Sequence, residues 1–275
     1  MYQVSATDVS KLRKITGAGM MDCKKALEEA SGDIEQAVQI VRKKGLAIAN
    51  KRSDREASEG AVLSKATADA KRGAIIVLNC ETDFVAKNEN FIGFAYKVLD
   101  LALEHNPANL DELKQLKVDG RTVEELVVEQ SANTGEKVDL SAYEKIEAAM
   151  VTPYIHPGNK VGTLVGFSVA VDVQVGKDVA MQIAAMAPVA IDKDDVSQKI
   201  LDQEMEIGRE QAIKEGKPAD MIEKIALGKL NKFYKESTLL NQEFVKDNKK
   251  TIREYLQSIS KDLTVTAFKR FSLKG

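Results

Sequence analysis

The stretch Ala74-Ile-Ile-Val-Leu-Asn-Cys-Glu-Thr-Asp-Phe-Val-Ala-Lys-Asn88 decides how the middle of the chain folds. Its first five residues are apolar without a break, which is typical of a strand covered on both faces. A helical pattern follows, in which one face is apolar at Phe91, Phe94, Ala95, Val98 and Ala102. The stretch therefore predicts a central or covered strand, a short turn and an amphipathic helix over residues 89–105, with Asn88 as the N-cap of that helix.

The short turn between strand and helix is the first candidate functional element. Thr82 and Asp83 are residue types that accept hydrogen bonds from a first helical turn, so either can cap it. Phe84 and Val85 would then sit on that turn, near the edge of the sheet. A large ring on a rigid turn suits contact with a partner protein, whereas a Phe after a strand is more often a core residue.

Two segments resemble the signatures of one protein family. The segment Thr82-Asp-Phe-Val-Ala-Lys-Asn88 is similar to a signature of the bacterial elongation factor Ts family, and the segment from Leu12 to Leu27 resembles its other signature. The two occur in the expected order and separation. The resemblance implies a guanine nucleotide exchange factor for elongation factor Tu that promotes GDP release by displacing Mg²⁺ from its partner and has no catalytic residues of its own.

The resemblance also implies which residues meet the partner. Asp83 and Phe84 would displace the elements that hold Mg²⁺, while Thr82 and Val85 position them. The N-terminal unit would contact the partner's GTP-binding domain through Leu12, Met20, Met21 and Asp22. We expect Phe84 to be exposed, on the same side as the two methionines.

His156 is a further candidate for partner binding, because it lies in the loop Tyr-Ile-His-Pro-Gly before a predicted strand. A surface histidine with a local hydrogen bond is the plainer interpretation. The two histidines and two cysteines are scattered along the sequence, so we predict no metal site and no cofactor.

Two alternatives to an exchange factor stay open. One is a thiol hydrolase that uses Cys80 with His105 or His156, and it predicts that Cys80→Ser abolishes activity. The other is an adaptor in which the N-terminal unit alone binds the partner and Phe84 is irrelevant.

The composition limits the classes of partner and the cellular compartment that we expect. The 275 residues include 40 Lys and Arg against 42 Asp and Glu, whereas a dedicated nucleic-acid binder shows a basic excess. No apolar run reaches the ~18 residues of a membrane span, and the N-terminus lacks a signal-peptide pattern. Two cysteines on separate predicted units suit a reducing compartment. We therefore expect a cytoplasmic protein that binds neither nucleic acid nor membrane.

The chain is predicted to be α+β and to contain five segments. These are a three-helix unit resembling the ubiquitin-associated fold (1–50), a charged linker (51–60), two halves of a duplicated core with antiparallel sheets (61–140, and 141–193 with 231–275), and an antiparallel helical hairpin (194–230). The duplication is suggested because the order strand, link, helix recurs after Val161. The hairpin is suggested by two apolar helical patterns around Gly216-Lys-Pro218, where the family has a coiled coil. We expect the C-terminal helical module of some family members to be absent after Gly275.

Three local features complete the prediction. Val9, Leu12 and Ile15 form the apolar stripe of the first helix. Gly45 is expected near the end of the third helix. Asp178 is expected to cap a helix in the second half of the core.

Overall fold

The chain combines helices with antiparallel sheets in a computed structural model that describes residues 3–273, so the predicted α+β class is confirmed. Residues 1–2 of the predicted first unit and 274–275 of the predicted last unit lie outside the described residues. No helix within the described part is long and apolar enough to span a membrane.

Three helices begin the chain: α1 (Ala6–Thr16), α2 (Met20–Glu29) and α3 (Ile34–Lys51). Ser5 caps α1, because its Oγ accepts from the backbone N–H of Asp8 at 3.0 Å. The predicted stripe of α1 was wrong at its end: Ile15 is exposed and Thr16 is buried in its place. Ile15 instead lines a groove of about 550 Å³ between these helices and the rest of the protein.

The third helix, for which Gly45 was expected near the end, runs six residues beyond that glycine. It continues to Lys51, and the predicted linker shortens to the residues between α3 and the first strand. Gly45 lies where α3 packs against a later helix, and the lack of a side chain permits that close approach. Packing here outweighs the helix-weakening tendency of glycine, which is worth about 1 kcal/mol.

The first sheet has the strand order β1-β2-β5, all antiparallel. The elements of this half are β1 (Glu59–Ala66), β2 (Arg72–Cys80), α4 (Asp83–Ala86), α5 (Glu89–His105), α6 (Leu110–Gln115), β3 (Lys117–Val118), β4 (Arg121–Thr122), α7 (Val123–Thr134) and β5 (Asp139–Glu147). The predicted central position of β2, the predicted helix over 89–105 and the cap at Asn88 are all confirmed. The predicted boundary at residue 140 falls inside β5, which pairs with β2 and so belongs to this sheet.

The sequence does not reveal β5, because its buried residues do not alternate. Leu140, Tyr143 and Ile146 are buried at intervals of three. A register shift opposite Val77 and Leu78 leaves Ser141 unpaired, and this bulge keeps Leu140 and Tyr143 on one face of the sheet, whereas Ile146 is buried on the other face.

A second sheet, with the order β10-β7-β6, lies face to face with the first. Its strands are β6 (Met150–Ile155), β7 (Val161–Phe167) and β10 (Val265–Ser272), and the last strand completes the sheet by pairing with β7. The side chains of Ile75 and Val77 in β2 enter the core between the sheets, while Ile76 and Leu78 pack toward α5. The strand is apolar on both faces because both are covered.

The helix of the second half, α8 (Val173–Met186), starts earlier than predicted. Its N-cap is Asp172, whose Oδ1 accepts from the N–H of Gln174 at 2.8 Å. Asp178 is buried within the helix and forms an ion pair with Lys246 at 2.6 Å, so its predicted role as a cap was wrong.

Two long helices, α9 (Gln198–Lys214) and α10 (Ala219–Ser237), form the antiparallel hairpin that the apolar patterns predicted, with the turn at residues 215–218. They pack closely at Gly208, where a Cβ would stand 3.2 Å from that of Ala226. The hairpin continues past the predicted end at residue 230. The sequence did not predict the elements that follow, which are β8 (Glu243–Phe244), β9 (Asp247–Thr251) and α11 (Ile252–Ile259).

Candidate partner-binding surface

Residues 82–85 form a single capped helical turn between β2 and α5, and are called the 82–85 turn below. Thr82 is the N-cap, because its Oγ1 accepts from the N–H of Val85 at 3.4 Å. Asp83 lies within the first turn and accepts from Lys87 Nζ at 2.6 Å. This hydrogen bond from Lys87 lowers the pKa of the Asp83 carboxyl, which is therefore charged at neutral pH. Of the two predicted caps, only Thr82 has that role.

The 82–85 turn has an anchored base and an exposed tip. Val85 packs against the core of the first half, and Ala86 is buried there. Below them, Cys80 Sγ donates to the carbonyl oxygen of Thr82 at 3.2 Å. The side chain of Phe84 is 83% exposed, which confirms the expected exposure. An apolar ring in this position has no core to join within the chain and is available for another protein.

A glutamate from a distant loop holds the start of the turn. The carboxylate of Glu136 accepts from the backbone N–H groups of Glu81 and Thr82 at 3.1 and 3.0 Å, and from Thr82 Oγ1 at 2.6 Å. Sequence reasoning missed Glu136, because it lies 54 positions from Thr82. A glutamate that follows a helix-ending glycine looks the same in the sequence whether its side chain holds another segment or only faces water.

The N-terminal candidates are only partly at the surface. Met20 and Met21, in the first turn of α2, are each 63% exposed, and Asp22 is half-exposed and forms an ion pair with Lys44. Leu12 is 0% exposed, in the core of the three helices. Its predicted direct contact with a partner is therefore wrong, because α1 turns Leu12 toward Leu27. That Phe84 and the methionines share one side stays a prediction.

His156 is exposed in the loop between β6 and β7, and its Nδ1 lies 3.0 Å from Tyr154 Oη. The same loop approaches the 82–85 turn through Glu59, which is paired with Cys80 at the end of β2. Lys160 forms an ion pair with Glu59 at 3.2 Å, and its charge, after that of Lys87, also lowers the pKa of Asp83. The fold thus brings the His156 loop and the 82–85 turn to one edge of the stacked sheets.

Cys80 does not have the properties of a nucleophile. Its side chain is fully buried, and burial, reinforced by the charge of Glu136, raises the pKa of the thiol to about 12. His105 and His156 are both exposed, at the end of α5 and in the loop after β6. A protonated, inaccessible thiol contradicts the hydrolase alternative. Within residues 3–273, no group of three or more His, Cys, Asp or Glu side chains is placed to hold a metal ion.

Comparison with known proteins gives a consistent result over nearly the whole chain. A family model described as elongation factor TS matches residues 81–274. Elongation factor Ts of Amoebophilus asiaticus is 55% identical over 270 residues, which cover 97% of this chain and 98% of that protein. The corresponding protein of Porphyromonas gingivalis is 54% identical and covers 99% of both chains. That of Chloroherpeton thalassium is 44% identical, over 97% of this chain and 95% of the relative.

Proposed function

The chain belongs to the elongation factor Ts family, whose members are guanine nucleotide exchange factors for elongation factor Tu, and we propose that its 82–85 turn acts on the partner's nucleotide site. The protein serves translation elongation and does not itself catalyse a chemical reaction. The observation that carries the proposal is that Phe84 is 83% exposed on a turn that Thr82 caps and that Val85 and Ala86 anchor in the core.

The proposed mechanism is displacement of Mg²⁺ in the partner. Phe84 and Asp83 enter the GTP-binding domain of elongation factor Tu and move the elements that hold the ion. Without Mg²⁺, less positive charge neutralises the phosphates of GDP, and the nucleotide is held more weakly. Thr82 and Val85 act through position, because one caps the turn and the other packs its base into the core.

Exchange then follows from thermodynamic linkage. If the exchange protein lowers the affinity of elongation factor Tu for GDP by some ratio, GDP lowers the affinity of elongation factor Tu for the exchange protein by the same ratio. The contact of Phe84 must therefore be stronger with the nucleotide-free partner than with the GDP-bound one. A contact equally strong in both states would add affinity without releasing nucleotide.

A second contact comes from the N-terminal unit. Met20 and Met21 expose flexible thioether side chains beside Asp22, and such side chains adapt to an irregular surface. We assign them to the GTP-binding domain, and His156 to a contact next to the 82–85 turn. Leu12 supports this surface from inside the three-helix core.

The finer architecture belongs to the same proposal. We infer that the three N-terminal helices are a ubiquitin-associated-like domain and that the two sheets derive from a duplicated unit. The hairpin of α9 and α10 corresponds to the family's coiled coil, and the protein contacts a second domain of elongation factor Tu besides the GTP-binding domain. The protein works in the cytoplasm, with translation.

The test uses elongation factor Tu loaded with a fluorescent GDP derivative. Addition of the protein at stoichiometric amounts is expected to accelerate loss of the fluorescent nucleotide in the presence of excess unlabelled GDP. A release rate equal to that of elongation factor Tu alone would refute the proposal. A Cys80→Ser variant should retain the acceleration, because the buried Cys80 side chain takes no part in nucleotide exchange.

A further inference from the structure

We propose that Glu136 is a positioning residue for nucleotide exchange, because it fixes the 82–85 turn in the orientation that presents Phe84. This inference rests on the proposed function of the turn. It concerns a loop outside both family signatures, from which nothing in the sequence predicted a role.

The turn needs an external support. The helix α4 has only four residues, and an isolated helical turn of that length is unstable because nucleation fixes several dihedral angles for one hydrogen bond. Phe84 is mostly exposed, so packing within the chain does not fix its ring. The direction of the ring is therefore set by the backbone of the turn, which the packing of Val85 and Ala86 holds at one end and the contacts of Thr82 hold at the other.

Glu136 supplies that support through three hydrogen bonds at the start of the turn. One carboxylate oxygen accepts from the N–H groups of Glu81 and Thr82, at 3.1 and 3.0 Å. The other lies 2.6 Å from Thr82 Oγ1. Because a carboxylate can only accept, the Thr82 hydroxyl must donate its proton to Glu136. Its oxygen then presents a lone pair to the N–H of Val85, so Glu136 also orients the cap.

A second set of bonds runs in the opposite direction between the same two loops. The side chain of Glu81 accepts from the backbone N–H of Lys137 at 2.6 Å and forms ion pairs with Arg52 at 2.7 Å and Arg55 at 3.2 Å. Lys137 Nζ donates to the carbonyl oxygens of Ser53 and Arg55, at 2.6 and 3.1 Å. The Glu81 side chain is only 12% exposed, so these charge-assisted bonds are partly protected from water.

The basic residues of the linker thus have a specific partner in the core. Arg52 and Arg55 follow α3 directly, which connects the Glu81–Glu136 network to the N-terminal unit. The network therefore also holds the two proposed partner contacts, the 82–85 turn and the exposed methionines of α2, in one arrangement.

The test measures GDP release from elongation factor Tu against the concentration of the exchange factor. For Glu136→Ala we expect the maximal rate to fall at least about tenfold, with a much smaller change in the half-saturating concentration. Glu136→Gln keeps one carbonyl acceptor and should give an intermediate rate. Glu144→Ala is the matched control, because Glu144 is half-exposed and pairs with Lys269 across the sheets, away from the turn; its rate should equal that of the wild type.

A double variant separates positioning from a general structural effect. If Glu136 acts through Phe84, the variant Phe84→Ala/Glu136→Ala should release GDP no more slowly than Phe84→Ala alone. If the fold-decrease in release rate of the double variant equals the product of the two single fold-decreases, the positioning role is overturned. If the melting temperature of Glu136→Ala is far below that of the wild type, Glu136→Gln takes its place. Its maximal release rate, alone and combined with Phe84→Ala, then tests the positioning role.

The outcomes distinguish this inference from the proposed function. A wild-type protein that does not accelerate GDP release would overturn both. Acceleration that is normal in wild type, slow in Phe84→Ala and normal in Glu136→Ala would overturn the positioning role alone.

Discussion

Gly45 of α3 lies so close to Ala132 of α7 that a Cβ at position 45 would stand 2.9 Å from the Cβ of Ala132. Next to this contact, Asn133 Nδ2 donates to the carbonyl oxygen of Thr16 at 3.4 Å. The N-terminal helices are thus packed against the core in addition to being connected by the linker. This packing fixes where the exposed methionines lie relative to the core.

The contact predicts that the same substitution stabilises the protein at one helical glycine and not at another. Gly93→Ala should raise the free energy of unfolding by roughly 0.5–1 kcal/mol, because a Cβ there meets no atom within 4 Å. Gly45→Ala should not raise the free energy of unfolding, since α3 must move away from α7 to accommodate the methyl group. Urea unfolding of both variants measures the difference. Equal stabilisation would mean that the two helices do not touch in solution.

Phe84→Ala should slow GDP release more than it weakens binding to nucleotide-free elongation factor Tu. Its free energy of unfolding should stay within about 0.5 kcal/mol of the wild type, because the ring is exposed. The control is Phe91→Ala, which removes a ring buried in the first core and should cost about 3–5 kcal/mol. Thermal melting combined with a release assay compares the two. A large loss of stability in Phe84→Ala would make that ring structural.

Asp83→Ala should also slow release, but less than Phe84→Ala, and without a marked change in unfolding. The reason is that Thr82 holds the cap, while Asp83 makes an exposed ion pair with Lys87. Lys87→Ala removes the same pair and leaves the carboxylate in place. If Lys87→Ala slows release as much as Asp83→Ala, the carboxylate acts through the pair and not through the partner.

Neither thiol should react while the protein is folded. Burial raises the pKa of Cys80 to about 12 and also raises that of Cys23, so both are protonated at neutral pH. Titration with a chromogenic disulfide reagent should give slow labelling in buffer and rapid labelling of two thiols in denaturant. Rapid reaction of one thiol in native protein would contradict the burial of its side chain.

The Glu81 ion pairs predict a stability difference that depends on pH. Burial tends to raise the pKa of Glu81, but hydrogen bonds from Lys137 and Arg52 together lower it below its ordinary value of 4.5. A lowered pKa means that the stabilisation is complete above the ordinary value and is lost as pH falls through the folded-state pKa. Arg52→Gln should therefore be less stable than wild type near neutrality, and the gap should close in acid.

Glu81→Gln provides the control for this titration. In that background, Arg52→Gln should produce no gap that varies with pH, because the titrating partner is gone. Chemical unfolding at several pH values checks both pairs. A gap between wild type and Arg52→Gln that persists unchanged in acid would assign the effect of Arg52 to packing.

The sequence by itself determined the segments whose structure depends on near neighbours. The helix over 89–105 and its cap at Asn88 follow from apolar spacing and one side-chain acceptor within a few residues. The central place of β2 follows from an uninterrupted apolar run. The family signatures likewise lie within short segments, so the exchange function and the residues of the 82–85 turn were accessible without coordinates.

Tertiary structure decided everything that depends on distant residues. It buried Leu12 and exposed Ile15, because the contacts of α1 with α2 and α3 choose the inward face. It placed β5 beside β2 through a bulge that conceals the alternation. It also brought Glu136 to Thr82 across 54 positions. The physical reason is that a hydrogen bond between distant segments depends on how the chain returns on itself, and local sequence patterns carry no record of that path.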